Sequence, residues 1–267
     1  MRTLAMNLLW LFVVVLSFCC LAVGTNQTAI RPVERIDANS RIAHEQLVEK
    51  AGKGGIDVYF LGDSITRRWG ASDPRYGDFL HNWTTNFFGW NAANFGWGGD
   101  GIENILWRLE NGELDGVHPK IIVLLAGINN VGKESGEAGK AEQIASGVKS
   151  LVETCRQKAP NATIIVTALF PRNDNLAVIP VIRLINRKIA ELADGKKTRF
   201  LDINSKLADE DGRFFEGMVN TDKLHPTLKT YQIWADALKP IFTEILGPPA
   251  ETDHAPPPTG DPSAVKR

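Results

Sequence analysis

"VYFLGDSITRRWG", residues 58–70, decides the fold. Its opening run is apolar without alternation, and a strand apolar on both faces must be covered on both, as in a parallel sheet sandwiched by helices. Gly62, Asp63 and Ser64 then end the run with turn and helix-cap residues. Ser64 is therefore either an ordinary cap or a hydroxyl held at a strand end to attack a substrate. The stretch alone leaves both readings open.

Outward from this run, apolar segments alternate with helical stripes. Residues 56–61, 90–95, 121–126, 163–169 and 199–203 read as strands. Between and after them, apolar residues recur three and four apart: Ile102, Ile105, Leu106 and Leu109; Ala141, Ile144, Ala145, Val148, Leu151, Val152 and Cys155; Val178, Ile182, Ile185, Ile189 and Leu192; Leu228, Tyr231, Ala235, Leu238, Phe242 and Ile245. A further helix over 40–51 precedes the first strand. This alternation specifies an α/β fold with a mostly parallel sheet. Open sheets of this kind carry ligands at the carboxyl ends of their strands. Ser64, Gly98-Gly99 and Gly127-Ile128-Asn129 all fall there, and the loop after the last strand runs into "TDKLHPTLKTYQIW".

The two ends differ from the middle. Arg2 followed by an uncharged apolar stretch from Leu8 to Ala22, with small residues before Thr25, has the shape of a secretory signal peptide over 1–24. An uncleaved membrane anchor is the alternative, although the run is short for a bilayer span. Residues 25–40 read as a linker, 41–246 as the folded domain, and the Pro-rich 247–267 as a disordered tail. The expected location is thus secreted or periplasmic. Removal of the leader leaves one cysteine, Cys155, on an apolar helix face, so it reads as core. A formal net charge of -1 gives no electrostatic footprint for nucleic acid.

A serine hydroxyl needs a base within hydrogen-bond reach and a group to orient that base. His225 is the best-placed histidine, and Asp222, three residues earlier, can fold back onto its imidazole. Capping of the following helix is the plainer reading of that pair. The Ser64 amide, the Gly99 amide and the Asn129 side chain supply donors of the kind an oxyanion requires. No cluster has metal-ligand spacing.

"GDSI" (62–65), "GWGGD" (96–100), "GINN" (127–130) and "DKLH" (222–225) stand in the order of the four blocks of the GDSL, or SGNH, hydrolase superfamily. "NFGWGGDGIENILWRLENGEL" (94–114) and "PKIIVLLAGINNVG" (119–132) resemble the catalytic subunits of the intracellular platelet-activating factor acetylhydrolases. The likeness spans about 41–246. It implies a three-layer α/β/α sandwich on a five-stranded, flavodoxin-like sheet. It assigns Ser64 as nucleophile, His225 as general base and then acid, Asp222 as its partner, and Ser64, Gly99 and Asn129 to the oxyanion hole. It implies no metal or organic cofactor, a homodimer, and an acyl pocket beside Ile65, Ile128 and Leu224. Trp97 stands where those acetylhydrolases carry a smaller aliphatic residue; it narrows the pocket, offers a face to a sugar ring, or packs beneath the loop.

The expectation is an exported serine esterase for short-chain, above all acetyl, esters of a small molecule or glycan. A lipase or lysophospholipase for longer chains is the nearest rival. A non-catalytic carbohydrate-binding module is the alternative of another class.

Overall fold

The computed structural model describes residues 30–132 and 139–266. The leader expected over 1–24 lies outside the described residues. Among those described, no helix is long and apolar enough to cross a membrane.

Five strands form the sheet: β1 (Val58–Gly62), β2 (Ala92–Gly96), β3 (Ile121–Leu125), β4 (Thr163–Thr167) and β5 (Thr198–Leu201). All pairings are parallel and the spatial order is β2-β1-β3-β4-β5. β1 sits between β2 and β3, with Val58 opposite Ala92 on one side and Ile121 on the other. The strand order therefore reverses at β1, and a crevice opens beyond the carboxyl ends of β1 and β3. The expected sandwich and its sheet are what the chain forms, with strand ends shifted by one or two residues.

Helices α1 (Ala38–Gly52), α2 (Ser64–Trp69), α3 (Gly77–Phe87), α4 (Ile102–Arg108), α5 (Ile128–Val131), α6 (Lys140–Lys158), α7 (Ile179–Ala190), α8 (Asn204–Leu207) and α9 (Leu228–Leu246) complete the fold. Strands β1 to β4 are buried at every position, which explains why their sequences do not alternate. Successive β1 side chains serve opposite layers. Phe60 meets the rings of Trp69, Trp83, Phe87, Trp234 and Phe242 at centroid distances of 4.5 to 6.3 Å, fastening α2, α3 and α9 to one face. Burial of one such side chain contributes about 1.5–3 kcal/mol. Tyr59 faces the other layer and stacks on Phe95 at 3.9 Å. Cys155 is fully buried in α6, and burial pushes its thiol up to about 12.

Two segments flanking the folded domain, residues 30–37 and the tail, depart from expectation. Residues 30–37, read as linker, lie along the surface as a strap: the Val33 amide donates to the Glu103 carbonyl at 2.9 Å, and Asn104 Nδ2 donates to the Val33 carbonyl at 3.0 Å. The Pro-rich tail is not the disordered segment its composition suggested. The Asp253 carboxylate accepts from the amides of Gly89 (2.7 Å) and Asn91 (3.3 Å), and the His254 amide donates to Asn91 Oδ1 at 2.7 Å. Further on, the Thr259 carbonyl accepts from the Ser72 amide at 3.2 Å, and Asp261 accepts from Asn39 at 2.8 Å. Proline removes donors and periodicity, not acceptors, and this tail docks through its carbonyl and carboxylate oxygens together with the amides of its non-proline residues, Ala250, His254 and Asp261.

Candidate active site

β1 ends at Gly62, and α2 begins at Ser64 with Asp63 as its cap, Oδ1 accepting from the Ile65 amide at 2.9 Å. The cap fixes the turn, so the hydroxyl stands at the mouth of the crevice. Ser64 Oγ lies 2.9 Å from His225 Nε2, and His225 Nδ1 lies 2.7 Å from Asp222 Oδ2. The order carboxylate, imidazole, hydroxyl is continuous. Asp222 Oδ1 accepts from the amides of Leu224 (3.0 Å) and His225 (2.9 Å), so the carboxylate that meets the ring also shapes the loop that carries it. Lys223 takes a left-handed backbone, φ 58, and its carbonyl accepts from the Asn173 amide at 2.8 Å. This turn rests on the loop after β4.

The electrostatics suit a base that is neutral at rest. Burial holds the His225 imidazole below its usual range, helped by the positive charges of Arg68 and Arg172 and opposed by Asp222. Burial acts to raise the Asp222 carboxyl, but the amides and imidazole it accepts from hold it at about 2. Arg68 Nη1 lies 3.4 Å from Asp222 Oδ2. Asp63 is fully buried, and burial, with the nearby charge of Asp100, raises its carboxyl to about 7.

The loop after β2 borders the serine: a Cβ built on Gly98 would lie 4.0 Å from that of Ser64. Gly99 has φ +82, a conformation natural to glycine. Among the described residues, no backbone acceptor is engaged by the Ser64 or Gly99 amide. Asn129 Nδ2 donates one hydrogen to the Asp100 carbonyl at 2.8 Å, leaving its second for another acceptor. Asn130 Oδ1 accepts from the Ile102 amide at 2.9 Å, tying the loop after β3 to the start of α4. Below this floor, Arg108 Nε donates to Asp100 Oδ2 at 2.7 Å, and its Nη1 pairs with Glu113.

The expected pocket-lining residues fare differently. Ile65 and Ile128 are 1% and 2% exposed and belong to the core, so they support the site from beneath and offer it almost no surface. Leu224 is half-buried. Trp97 is 7% exposed, its indole N–H donates to Ser40 Oγ at 2.9 Å, and the Arg67 guanidinium lies 4.7 Å from its ring. Packing beneath the loop is the role that its burial and these two contacts support. Sequence reasoning missed Arg68 and Arg172. Arg68 was within reach of it, because a residue four after Ser64 on a helix shares its face; Arg172 comes from another loop and leaves no local trace.

A sequence model of the GDSL-like lipase/acylhydrolase family matches residues 60–233. The chain belongs to the GDSL-like lipase/acylhydrolase family. It is 32% identical over 225 residues to the human platelet-activating factor acetylhydrolase IB subunit alpha1, covering 80% of this chain and 88% of that protein. Identity to the human IB subunit alpha2 is 33% over 196 residues, 71% of this chain and 76% of the relative. Among solved structures, a GDSL-like lipase from Bacteroides thetaiotaomicron shares the fold with a TM-score of 0.58 at 19% identity, over 76% of this chain and 98% of that one. A family two carbohydrate esterase from Clostridium thermocellum, in complex with cellohexaose, gives a TM-score of 0.51 at 18% identity, over 72% and 65% of the two chains. This GDSL hydrolase is thus an ester hydrolase by family, and the matched region begins after the strap of residues 30–37.

Proposed function

We propose that the chain is an exported serine esterase that removes short acyl groups, above all acetyl, through a covalent acyl-enzyme. The observation carrying the reading is the hydrogen-bonded run from Asp222 through His225 to Ser64, at 2.7 and 2.9 Å. Ser64 Oγ attacks the ester carbonyl carbon while His225 Nε2 takes its proton. The carbonyl oxygen becomes an oxyanion facing the Ser64 and Gly99 amides and Asn129 Nδ2. Collapse breaks the bond to the alcohol oxygen, which leaves with the proton from Nε2. Water then attacks the acyl-serine, giving its proton to His225, and the second collapse returns that proton to Ser64 and releases the acid. Asp222 stays ionised throughout, holding the imidazole tautomer and stabilising the imidazolium.

The preference for acetyl draws on the relatives named acetylhydrolase subunits, and export on the shape of the leader. An exported enzyme meets acetylated glycans more readily than cytoplasmic lipids, so an O-acetyl carbohydrate is the natural substrate class we assign. Homodimerisation belongs to the same proposal, and light scattering of the purified protein tests it.

The deciding experiment is hydrolysis of p-nitrophenyl esters of graded acyl length, with Ser64→Ala beside the unaltered protein. Turnover that falls steeply beyond propionyl and vanishes in the variant is the expected result. A rate that rises with chain length would assign a longer-chain lipase; Ser64-independent turnover would overturn the nucleophile.

A further inference from the structure

The oxyanion loop is held from outside by a residue that precedes the matched family region. Arg35 lies on the strap between two fixed points: Val33, bound to Glu103 and Asn104, and Asp37, which caps α1 by accepting from the Ser40 amide at 2.9 Å. Its guanidinium reaches three acceptors. Nε donates to Asp37 Oδ2 at 3.2 Å, and Nη1 donates to the Gly98 carbonyl at 3.1 Å and to Asp100 Oδ1 at 3.3 Å. A Cβ built on Gly99 would stand 3.3 Å from Nη1, so the guanidinium is seated directly against the turn.

The Gly98 carbonyl and the Gly99 amide belong to one peptide unit. That unit is planar, and in its trans form C=O and N–H point in opposite directions. A guanidinium holding the carbonyl on one side therefore fixes the heading of the N–H on the other. Glycine on both sides of the bond leaves the plane otherwise free to swing. Donation to the carbonyl also polarises the amide and strengthens its N–H as a donor.

We propose that Arg35 is a positioning residue of the oxyanion hole, acting on substrate through the Gly98–Gly99 peptide. The proposal rests on the reading of Ser64, Gly99 and Asn129 given above. It places a support of the oxyanion hole in the strap of residues 30–37, which the sequence read as linker. Asp100 is the third acceptor of the same guanidinium, and its other oxygen stays bound to Arg108, so loss of Arg35 leaves that carboxylate partnered.

The test compares Arg35→Met and Arg35→Lys with the unaltered protein on p-nitrophenyl acetate, together with thermal unfolding and added methylguanidinium. Arg35→Met is expected to lower kcat by roughly ten- to a hundredfold, short of the loss on deleting a donor outright, while KM changes by less than about threefold. Arg35→Lys, which keeps the charge and loses the fork, is expected to fall between, and methylguanidinium to restore part of the Arg35→Met rate. An unchanged kcat in Arg35→Met overturns the proposal. So does a loss without rescue that tracks a lowered Tm, which marks Arg35 as structural only. Absence of Ser64-dependent hydrolysis in the unaltered protein overturns the underlying site reading, an outcome separable from a normal rate in the Arg35 variants.

Discussion

His225 stands between opposing influences, and their balance sets the pH range of the enzyme. Burial and the cations Arg68 and Arg172 depress its pKa below the ordinary 6.5, against the pull of Asp222. A base acts only when unprotonated, so kcat/KM is expected to hold its plateau below pH 6.5 and to fall as pH drops through the depressed value. Arg68→Gln removes a positive charge from beside the imidazole and so favours imidazolium; the acid limb is expected to move to higher pH. A profile of kcat/KM between about pH 5 and pH 8 checks this, and a limb that stays still or moves down would contradict it. Asn129→Ala probes the opposite side of the reacting carbon. It is expected to lower kcat by about a hundredfold or more, with a smaller change in KM, as for loss of one oxyanion donor. Steady-state kinetics showing an unchanged kcat would remove Asn129 from the mechanism. Ser64, Gly99 and Asn129 were picked out in the sequence because each follows a strand, where an open sheet delivers ligand contacts; Asp222 and His225, well beyond β5, were picked out by their own spacing. Ile65 and Ile128 misled for a related reason: the same strand ends also close the core, and sequence does not separate an apolar residue facing the crevice from one facing the sheet.

At the scale of elements, α2 depends on an unusual cap. Asp63 satisfies the Ile65 amide through Oδ1, while Oδ2 is buried without a hydrogen-bond partner among the described residues. Burial raises this carboxyl to about 7, and Asp100 nearby is raised by burial to about 6. Between the ordinary value of 3.8 and those raised values, the folded state binds more protons than the unfolded chain. Stability must therefore fall as pH rises through that window. Asp63→Asn keeps an oxygen for the Ile65 amide and removes the charge, so it is expected to raise Tm at pH 8 by roughly a few degrees and to flatten the decline between pH 5 and pH 8. Calorimetry at the two pH values measures both effects, and a lower Tm in the variant at pH 8 would show that the cap needs the carboxylate. Most elements were legible from their apolar spacing, since buried strands and amphipathic helices leave different periods. α3 was not marked, although Phe79, Leu80, Trp83 and Phe87 recur at helical spacing, because the preceding Asp73, Pro74 and Gly77 carry the chemistry of a loop.

Over the whole molecule, the strap of residues 30–37 and the Pro-rich tail brace the sandwich, a role that composition concealed. A proline-rich run without periodicity reads as disordered because it offers no apolar face; it gives no sign of where its oxygens will find donors. Those donors are backbone amides left open at the turn after α3, Gly89 and Asn91, and at Ser72, which follows α2. Pro256, Pro257 and Pro258 also help to wall a cavity of about 230 Å³ over Trp83, Phe87 and the buried amine of Lys50. Burial lowers that amine to about 7, so it is only partly charged at neutral pH. Removal of residues 248–267 would leave the Gly89 and Asn91 amides without their carboxylate acceptor and strip the proline wall from Trp83 and Phe87. Tm is therefore expected to fall by at least roughly 4 °C, the shift that corresponds to 1–2 kcal/mol in a domain of this size. The catalytic rate should change by less than about twofold, because the tail meets the α2–α3 region through Ser72, Arg67 and Arg75 and not through Ser64. Asp253→Ala, which deletes one docking carboxylate and leaves the rest of the tail in place, is expected to show the same direction with a smaller shift. Thermal unfolding and p-nitrophenyl acetate turnover of both variants separate the cases: an unchanged Tm means the tail contributes nothing to stability, and a collapse of kcat with Tm preserved means it acts on the site.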